Sequence, residues 1–277
     1  MNRSHRKSAV ALGLMLAQAA AMAAIAPDVA QDLMKKSGLW NQLDSLGAQV
    51  RGGMASAVPG TGDPQADATK SRMLACADTA YSADAMRATA VDAVSGALQP
   101  ADVSALAAWY DGPLGRKISG MEASSTAQVL DPQERLRRGG AALETASATR
   151  KASLQAILAE THSVDIMADT VIEMAIAVRT GMASADPAMT PGALADAKAQ
   201  LSARRPQLVD RYAQLALPAY AFAYATLGDD DLERYADYLA APAAKASNDA
   251  AVRGVARALS EGSFKLGRCL KDAGAKP

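Results

Sequence analysis

Apolar residues along the chain recur at intervals of three or four positions. The clearest ladder is formed by Leu39, Leu43, Leu46, Val50 and Met54. This spacing places the side chains on one face of a helix. Alternating runs of β-branched residues bounded by turn residues, which would indicate strands, are almost absent. The pattern therefore predicts an all-α fold.

The ladder occurs twice. Each copy ends in a nearly identical segment, because residues 50–59 read VRGGMASAVP and residues 178–187 read VRTGMASADP, with two of ten positions different. The second ladder has the same helical spacing and consists of Met167, Val171, Met174, Val178 and Met182. An internal repeat of this length indicates a duplicated structural unit.

A second correspondence lies further along at nearly the same offset. Residues 98–113 read LQPADVSALAAWYDGP and residues 227–242 read LGDDDLERYADYLAAP, with apolar positions again at helical spacing. Two separate matches at one offset are hard to attribute to a bias toward alanine. We therefore predict two tandem homologous helical-bundle modules, residues 25–155 and residues 156–277.

Both modules are expected to contain the same series of helices. A short helix begins at an acidic residue in each, where side-chain oxygens cap exposed amides, and Pro113 or Pro242 then starts the next helix. This arrangement predicts a tight helical corner in each copy. The other helices are expected over residues 39–57, 65–97, 114–128 and 132–160, and over residues 163–185, 191–226 and 243–270, with breaks near 81–84 and 205–206.

Alanine dominates the apolar share of the chain. Hydrophobic residues make up 50% of the sequence, but only 4% of the residues are aromatic. Alanine favours helices strongly and fills little core volume. We therefore expect helices that pack closely around thin cores.

The first 24 residues have the layout of a secretory signal peptide. Arg3, Arg6 and Lys7 precede an apolar stretch over residues 9–24 that is short and alanine-rich for a membrane-spanning helix. Small residues near Ala24 and Ile25 suit cleavage there. We expect a periplasmic protein, with secretion as the alternative and no membrane span in the mature chain.

The charge balance changes when the signal peptide is removed. The peptide carries three of the 29 Lys and Arg residues and no acid, which leaves 26 bases against 29 acids. The mature net charge is therefore about −3. Nucleic-acid binding depends on clustered Lys and Arg, so a nucleic-acid partner is not expected.

Only two cysteines are present, Cys76 and Cys269. An even count in an oxidising compartment favours a disulfide, which would connect the start of the first module to the last helix of the second. Two separate buried thiols are the alternative. A redox role is not expected, because there is no C-x-x-C motif.

Other chemical motifs are weak. His162, Asp165 and Asp169 share a helical face, but one histidine with two carboxylates commonly occurs by chance. The acidic run at 229–231 is explained by capping, and neither a nucleophile elbow nor a phosphate-binding loop is present. We therefore predict no catalytic residue, metal or cofactor.

One segment resembles a known family. Residues 106–118, LAAWYDGPLGRKI, are similar to the signature of the exported bacterial family called domain of unknown function 2059, and residues 238–245 form a degraded copy. The resemblance implies a helical exported protein without an assigned activity. From the residues themselves we expect aromatic packing, close helix approach at Gly115 and a solvated Lys117. The corner residues are Trp109, Tyr110, Pro113, Gly115, Lys117, Tyr238, Pro242 and Lys245.

Three functions remain open at this point. The leading hypothesis is a non-enzymatic protein-interaction or envelope-associated module that binds an unknown envelope protein, since duplication lets thin helical units bury their apolar faces against each other. The alternative is a carrier that holds a lipid or small apolar ligand between the modules. A hydrolase with a hidden carboxylate pair ranks third.

Overall fold

The computed structural model describes residues 24–57, 63–127, 131–185 and 190–272. These residues form thirteen α-helices and no strand, which confirms the all-α prediction. Residues 1–23 of the predicted signal peptide, which was expected to span residues 1–24, lie outside the described residues, as do the ends of the two repeated segments at 58–59 and 186–187. No helix within the described ranges combines the length and hydropathy needed to cross a bilayer.

The helices follow one another with short connections. They are α1 (Pro27–Lys36), α2 (Leu39–Ala57), α3 (Pro64–Ala80), α4 (Ala83–Ala97), α5 (Pro100–Tyr110), α6 (Pro113–Ala127), α7 (Pro132–Thr145), α8 (Ala148–Thr161), α9 (Ser163–Ser184), α10 (Pro191–Ser202), α11 (Arg205–Ala223), α12 (Asp229–Ala240) and α13 (Pro242–Asp272).

Most predicted boundaries agree with these helices. The long predicted stretches break between α3 and α4 and between α10 and α11, close to the expected positions. Two expectations were wrong. Helix α1 was not predicted, and the expected continuous helix over 132–160 is two helices, because Ser147 accepts a hydrogen bond from the Arg150 amide and starts α8.

Side-chain capping explains some helix starts but not the acidic run of α12. Asp102 accepts a hydrogen bond from the Gln99 amide at 3.0 Å in the capping box of α5. Helix α12 instead follows Gly228, without a side-chain cap. The capping explanation for residues 229–231 was therefore wrong, and two of these aspartates bind basic residues on other helices: Asp229 pairs with Arg150 of α8, and Asp231 pairs with Lys117 of α6.

Helix α13 is the central element and packs most extensively on α9 and α4. Glycines allow its backbone to approach both neighbours. A Cβ atom added to Gly267 would lie 2.0 Å from the Val178 carbonyl oxygen of α9, and one added to Gly254 would lie 3.1 Å from the Ala90 Cα of α4. Small residues therefore set the spacing of these helices.

The two apolar ladders have different surroundings. Helix α2 packs on α1, α3 and α4 and buries Leu43 completely. Helix α9 packs on α13, α11 and α10, which leaves Met167 51% and Val171 41% exposed. The expected burial of one ladder against the other is replaced by packing on intervening helices.

The ends of the two predicted modules pack on each other's helices. Helix α7, late in the first half, lies along α11 of the second, while α13, at the end of the second half, lies along α4 and α3 of the first. A disulfide joins Cys76 of α3 to Cys269 of α13, with 5.7 Å between their Cα atoms. The sequence prediction of this pair is therefore confirmed.

Candidate functional site

The two predicted corners meet in space. Trp109, at the end of α5, stacks on Tyr238, near the end of α12, with ring centroids 3.9 Å apart and planes 4° from parallel. Pro113 and Pro242 begin α6 and α13 directly after these rings. The structure thus brings together corner residues that lie far apart in sequence.

Further aromatic rings surround this stack. Tyr110 meets Tyr238 edge-on at 6.4 Å, and Tyr235 lies 6.1 Å from Trp109 with its ring nearly parallel. Such geometries are favourable beyond the area that they bury. We call Trp109, Tyr110, Tyr235 and Tyr238 the aromatic corner.

Gly115 is required at this position by the close approach of backbone atoms. A Cβ atom there would lie 2.1 Å from the Trp109 carbonyl oxygen. The glycine therefore lets the first turn of α6 lie against the end of α5 and holds Trp109 in place.

Lys117 and Lys245 both form ion pairs across the corner. The Lys117 ammonium lies 2.8 Å from Asp231 Oδ2 at the start of α12, and the Lys245 ammonium lies 3.0 Å from Glu160 Oε2 on α8. The hydrogen bond from Lys117 lowers the pKa of Asp231. Lys117 is therefore a link between α6 and α12, in addition to being solvated as expected. Exposed pairs of this kind orient helices more than they stabilise them.

Glu122 was missed by the sequence analysis. Its Oε1 accepts hydrogen bonds from the Tyr224 hydroxyl at 2.6 Å and from the Tyr235 hydroxyl at 2.8 Å. Burial raises the pKa of Glu122, and the two hydroxyl donors oppose that rise. The sequence did contain a signal for Glu122, because Leu114, Ile118 and Glu122 recur every four residues and so share one face of a helix. In the structure Leu114 and Ile118 on that face are buried.

A cavity of about 170 Å³ adjoins the aromatic corner. Glu122 is the one charged side chain among the described residues that line it. The wall also carries the amide of Asn248 and the hydroxyls of Ser119, Ser247 and Thr161. The site therefore combines aromatic rings, one carboxyl group and uncharged hydrogen-bonding groups.

A larger groove of about 700 Å³ lies between α9, α10 and α13. Ile172 and Ile176 of α9 and Phe264 of α13 supply apolar lining. The charged lining residues are three bases and three acids, namely Lys198, Arg205, Lys265, Asp169, Glu173 and Glu261. None of the residues of α10 is buried. We call this feature the α10 groove.

The exposed part of α9 adjoins a third depression. Met167 borders a groove of about 290 Å³ that Leu136, Tyr212 and Leu215 also line. Val171 is exposed one helical turn further along the same helix. We call Met167 and Val171 with this depression the α9 surface.

Asp165 and Asp169, the carboxylates near His162, connect α9 to Arg205 at the start of α11. The Arg205 guanidinium donates to Asp165 Oδ1 at 2.8 Å and to Asp169 Oδ1 at 2.6 Å. The hydrogen bond that Arg205 donates to Asp169 lowers the pKa of that carboxyl group. In the ranges that the structure describes, no group of three or more His, Cys, Asp or Glu residues is placed to hold a metal ion.

Comparison with known proteins gives no match. No family model matches the chain, and neither a curated protein nor a solved structure matches it. The site must therefore be interpreted from its own geometry.

We expect Glu122→Gln to change how stability depends on pH. The pKa of Glu122 is higher in the folded protein than the ordinary 4.5, so the wild-type protein loses stability as the pH rises from below 4.5 through the folded-state value. Glutamine keeps an oxygen that accepts both tyrosine hydrogen bonds and cannot ionise. Urea unfolding at a series of pH values should show the variant gaining stability relative to wild type as the pH rises. A constant difference would contradict the assignment.

Proposed function

We propose that this protein is an exported, non-enzymatic carrier that holds an apolar ligand in the α10 groove. The observation that carries the proposal is a groove of about 700 Å³ with isoleucine and phenylalanine in its lining. Ligand sites commonly have volumes of about 300 to 1,000 Å³ and mainly apolar walls. The alternative hypothesis held such a ligand between the two predicted modules, whereas the described lining of this groove belongs to residues 156–277 alone. With the site moved into the second module, a carrier is favoured over the protein-interaction module that the sequence favoured.

The loose attachment of α10 supports a groove that admits a ligand. Helix α10 packs mainly on α9 and has no buried residue. Its counterpart in the first half, α3, is held to α13 by the Cys76–Cys269 disulfide. A helix with few buried contacts separates from its neighbours at low free-energy cost. The α10 groove therefore has one wall that can move.

Three acids and three bases line the groove, but Asp169 is paired with Arg205 and Glu261 with Arg257. Two lysines and Glu173 are left, and this balance favours an anionic head group on the ligand. Lys198 and Lys265 are exposed, and neither forms an ion pair within the part of the chain that the structure describes. Arg205, by contrast, is bound to Asp165 and Asp169. A single-chain fatty acid matches this arrangement, with its tail on Ile172 and Ile176 and its carboxylate near the lysines.

The proposal includes duplication and export. The counterparts α2 and α9, α5 and α12, and the two proline corners occur in the same order in both halves, which supports two homologous modules. A junction near residues 146–147 suits the proposal better than one at 155–156, because α8 runs through the latter. Periplasmic localisation and membership of the domain of unknown function 2059 family are parts of this proposal and depend on residues 3–24 and 106–118 respectively.

A pair of matched substitutions on α9 tests the carrier function. Titration with a long-chain fluorescent fatty acid should give saturable binding, and Ile176→Asp should weaken it by about tenfold or more, since a charge in the groove opposes the apolar tail. Val171→Asp is the control, because Val171 lies on the exposed α9 surface. Thermal unfolding checks that both variants are folded. Equal binding by the two variants would overturn the proposal.

The protein-interaction module remains a second candidate, and the α9 surface is the observation that favours it. Exposed Met167 and Val171 beside an apolar depression are typical of a docking surface for another protein. A photo-crosslinking residue at position 171 should capture one discrete partner, whereas the same residue at the exposed position 196 of α10 should not. Equal labelling from both positions would remove this candidate.

The hydrolase hypothesis has little geometric support. Glycoside hydrolysis needs two carboxyl groups flanking the reacting bond. The cavity at the aromatic corner has one carboxyl group among its described lining residues, and Oε1 of that group binds two tyrosines.

A further inference from the structure

We propose that the depression beside Met167 binds a small carboxylic acid with an aromatic or branched apolar body. The depression holds about 290 Å³ and is formed by α7, α9 and α11. It is separate from the α10 groove and does not depend on the carrier function. In contrast to the second candidate function, the proposal places a small molecule rather than a protein on this part of the α9 surface.

An arginine without a counter-ion is the first observation that carries the inference. Arg135 is the one charged residue among the described residues that line the depression. Its side chain is half-buried, and its guanidinium forms neither an ion pair nor a hydrogen bond with the described residues. Buried charges in proteins are normally paired. The other half-buried arginines in the described ranges bind aspartates, and they are Arg87, Arg150 and Arg205. A carboxylate is the usual counter-ion of a guanidinium, which can hold both of its oxygens.

Two hydroxyl groups of the same depression are the second observation. The Ser163 hydroxyl oxygen is buried and has no hydrogen-bond partner among the described residues. The Tyr212 hydroxyl likewise makes no hydrogen bond within those ranges. Most buried polar groups do have a partner. Together with Arg135, each of the three helices therefore contributes a hydrogen-bond donor, and an ionised carboxylate can only accept.

The charges around the depression also favour an anion. Pro132 and Ser163 are the first residues of α7 and α9 and both line it, so the positive ends of two helix dipoles lie there. The acids close to these residues in sequence are engaged: Asp131 caps α7, while Glu134 and Asp165 pair with other arginines. None of these acids lines the depression.

The apolar wall defines the rest of the ligand. A cavity of about 150 Å³ accepts benzene, so about 290 Å³ has room for a ring or a branched chain that carries a short acid arm. Met167 is exposed at this site, and its flexible side chain can adapt to the shape of such a body. The larger apolar side chains of the lining are those of Leu136, Val164, Met167, Leu215 and Phe222.

Sodium 4-phenylbutyrate is the probe for the test, and 4-phenylbutanamide is its neutral isostere. The full chain is labelled with ¹³C in the methionine methyl groups, and the Met167 signal is assigned with Met167→Leu. In a titration with the acid at constant ionic strength, the Met167 signal should shift to saturation. The signal of Met182, which lines a groove with Leu194 of α10, should stay in place. The amide should bind at least tenfold more weakly.

Two matched substitutions on α7 identify the guanidinium that binds the acid. Arg135→Met keeps an apolar stem and removes the charge, so its affinity for the acid should fall about tenfold or more while that for the amide is unchanged. Arg137→Met removes the same charge from a residue that is 70% exposed and does not line the depression, and it should bind as the wild type does. Thermal unfolding checks that both variants are folded.

Several results would overturn the proposal. They are an unshifted Met167 signal up to decimolar acid, equal affinities for the acid and the amide, and equal effects of Arg135→Met and Arg137→Met. An acetylated tripeptide that ends in phenylalanine carries the same groups on a chain terminus, and tighter binding of this peptide than of the acid would overturn the assignment to a small molecule. Ile176→Asp, the variant that tests the carrier, should leave the response of Met167 unchanged, so the two proposals fail separately.

Discussion

Gly139→Ala is expected to lower the free energy of unfolding by about 3 kcal/mol, near the upper end of the usual cost of overpacking. An added Cβ atom would lie 1.8 Å from the Pro218 carbonyl oxygen, and this is backbone that cannot rotate away. Helices α7 and α11 must therefore separate. Urea unfolding followed by circular dichroism measures the loss.

Gly140→Ala is the matched control for this substitution. Gly140 is the next residue in the same helix, and a Cβ atom there meets nothing within 4 Å. Alanine has a higher helix propensity than glycine, so this variant should be more stable by up to about 1 kcal/mol. Equal effects at the two positions would show that α7 does not pack on α11 through Gly139.

Removing the disulfide is expected to have a comparable or larger effect. Replacing both Cys76 and Cys269 with alanine should cost about 2 to 5 kcal/mol, because the bond closes a long loop and restricts the unfolded chain. The two cysteines are 193 positions apart. Urea unfolding of the variant and of the oxidised wild-type protein gives the difference.

Hydrogen exchange can locate this effect in the structure. Loss of the bond should raise exchange in α3 and the last turns of α13, which it joins, and should leave α8 and α12 protected. Reduced wild-type protein should behave as the double variant does. A reduced protein with the stability of the oxidised one would contradict the prediction.

Much of the helical order could be predicted from the sequence because its signals are local. The ladder from Leu39 to Met54 defines α2 by spacing alone, and Pro113 and Pro242 mark the corners through a conformation that each proline fixes. Helix α1 was missed because its apolar face is short, with only Ala30, Leu33 and Met34 buried. The Cys76–Cys269 pair was predictable because no other pairing existed.

The contacts of the candidate site depend on distant parts of the chain. Lys117 binds Asp231 across 114 positions, and Glu122 binds Tyr235 across 113. Nothing in the local sequence around Lys117 or Glu122 specifies those partners, since they meet only when both corners have formed. The spacing of Leu114, Ile118 and Glu122 could have shown a buried acid, but not which hydroxyls would bind it.

Helix α13 packs on helices of the first half of the chain, and this packing has a consequence for biosynthesis. The first half of the chain buries Ala90 and Tyr81 against α13, so its native core cannot close before residues 242–272 have been made. Local helices form earlier, whereas the tertiary packing of this core waits until α13 has been made. If the polypeptide is exported as proposed, this delay keeps the nascent chain without a packed tertiary core while it crosses a narrow translocation pore.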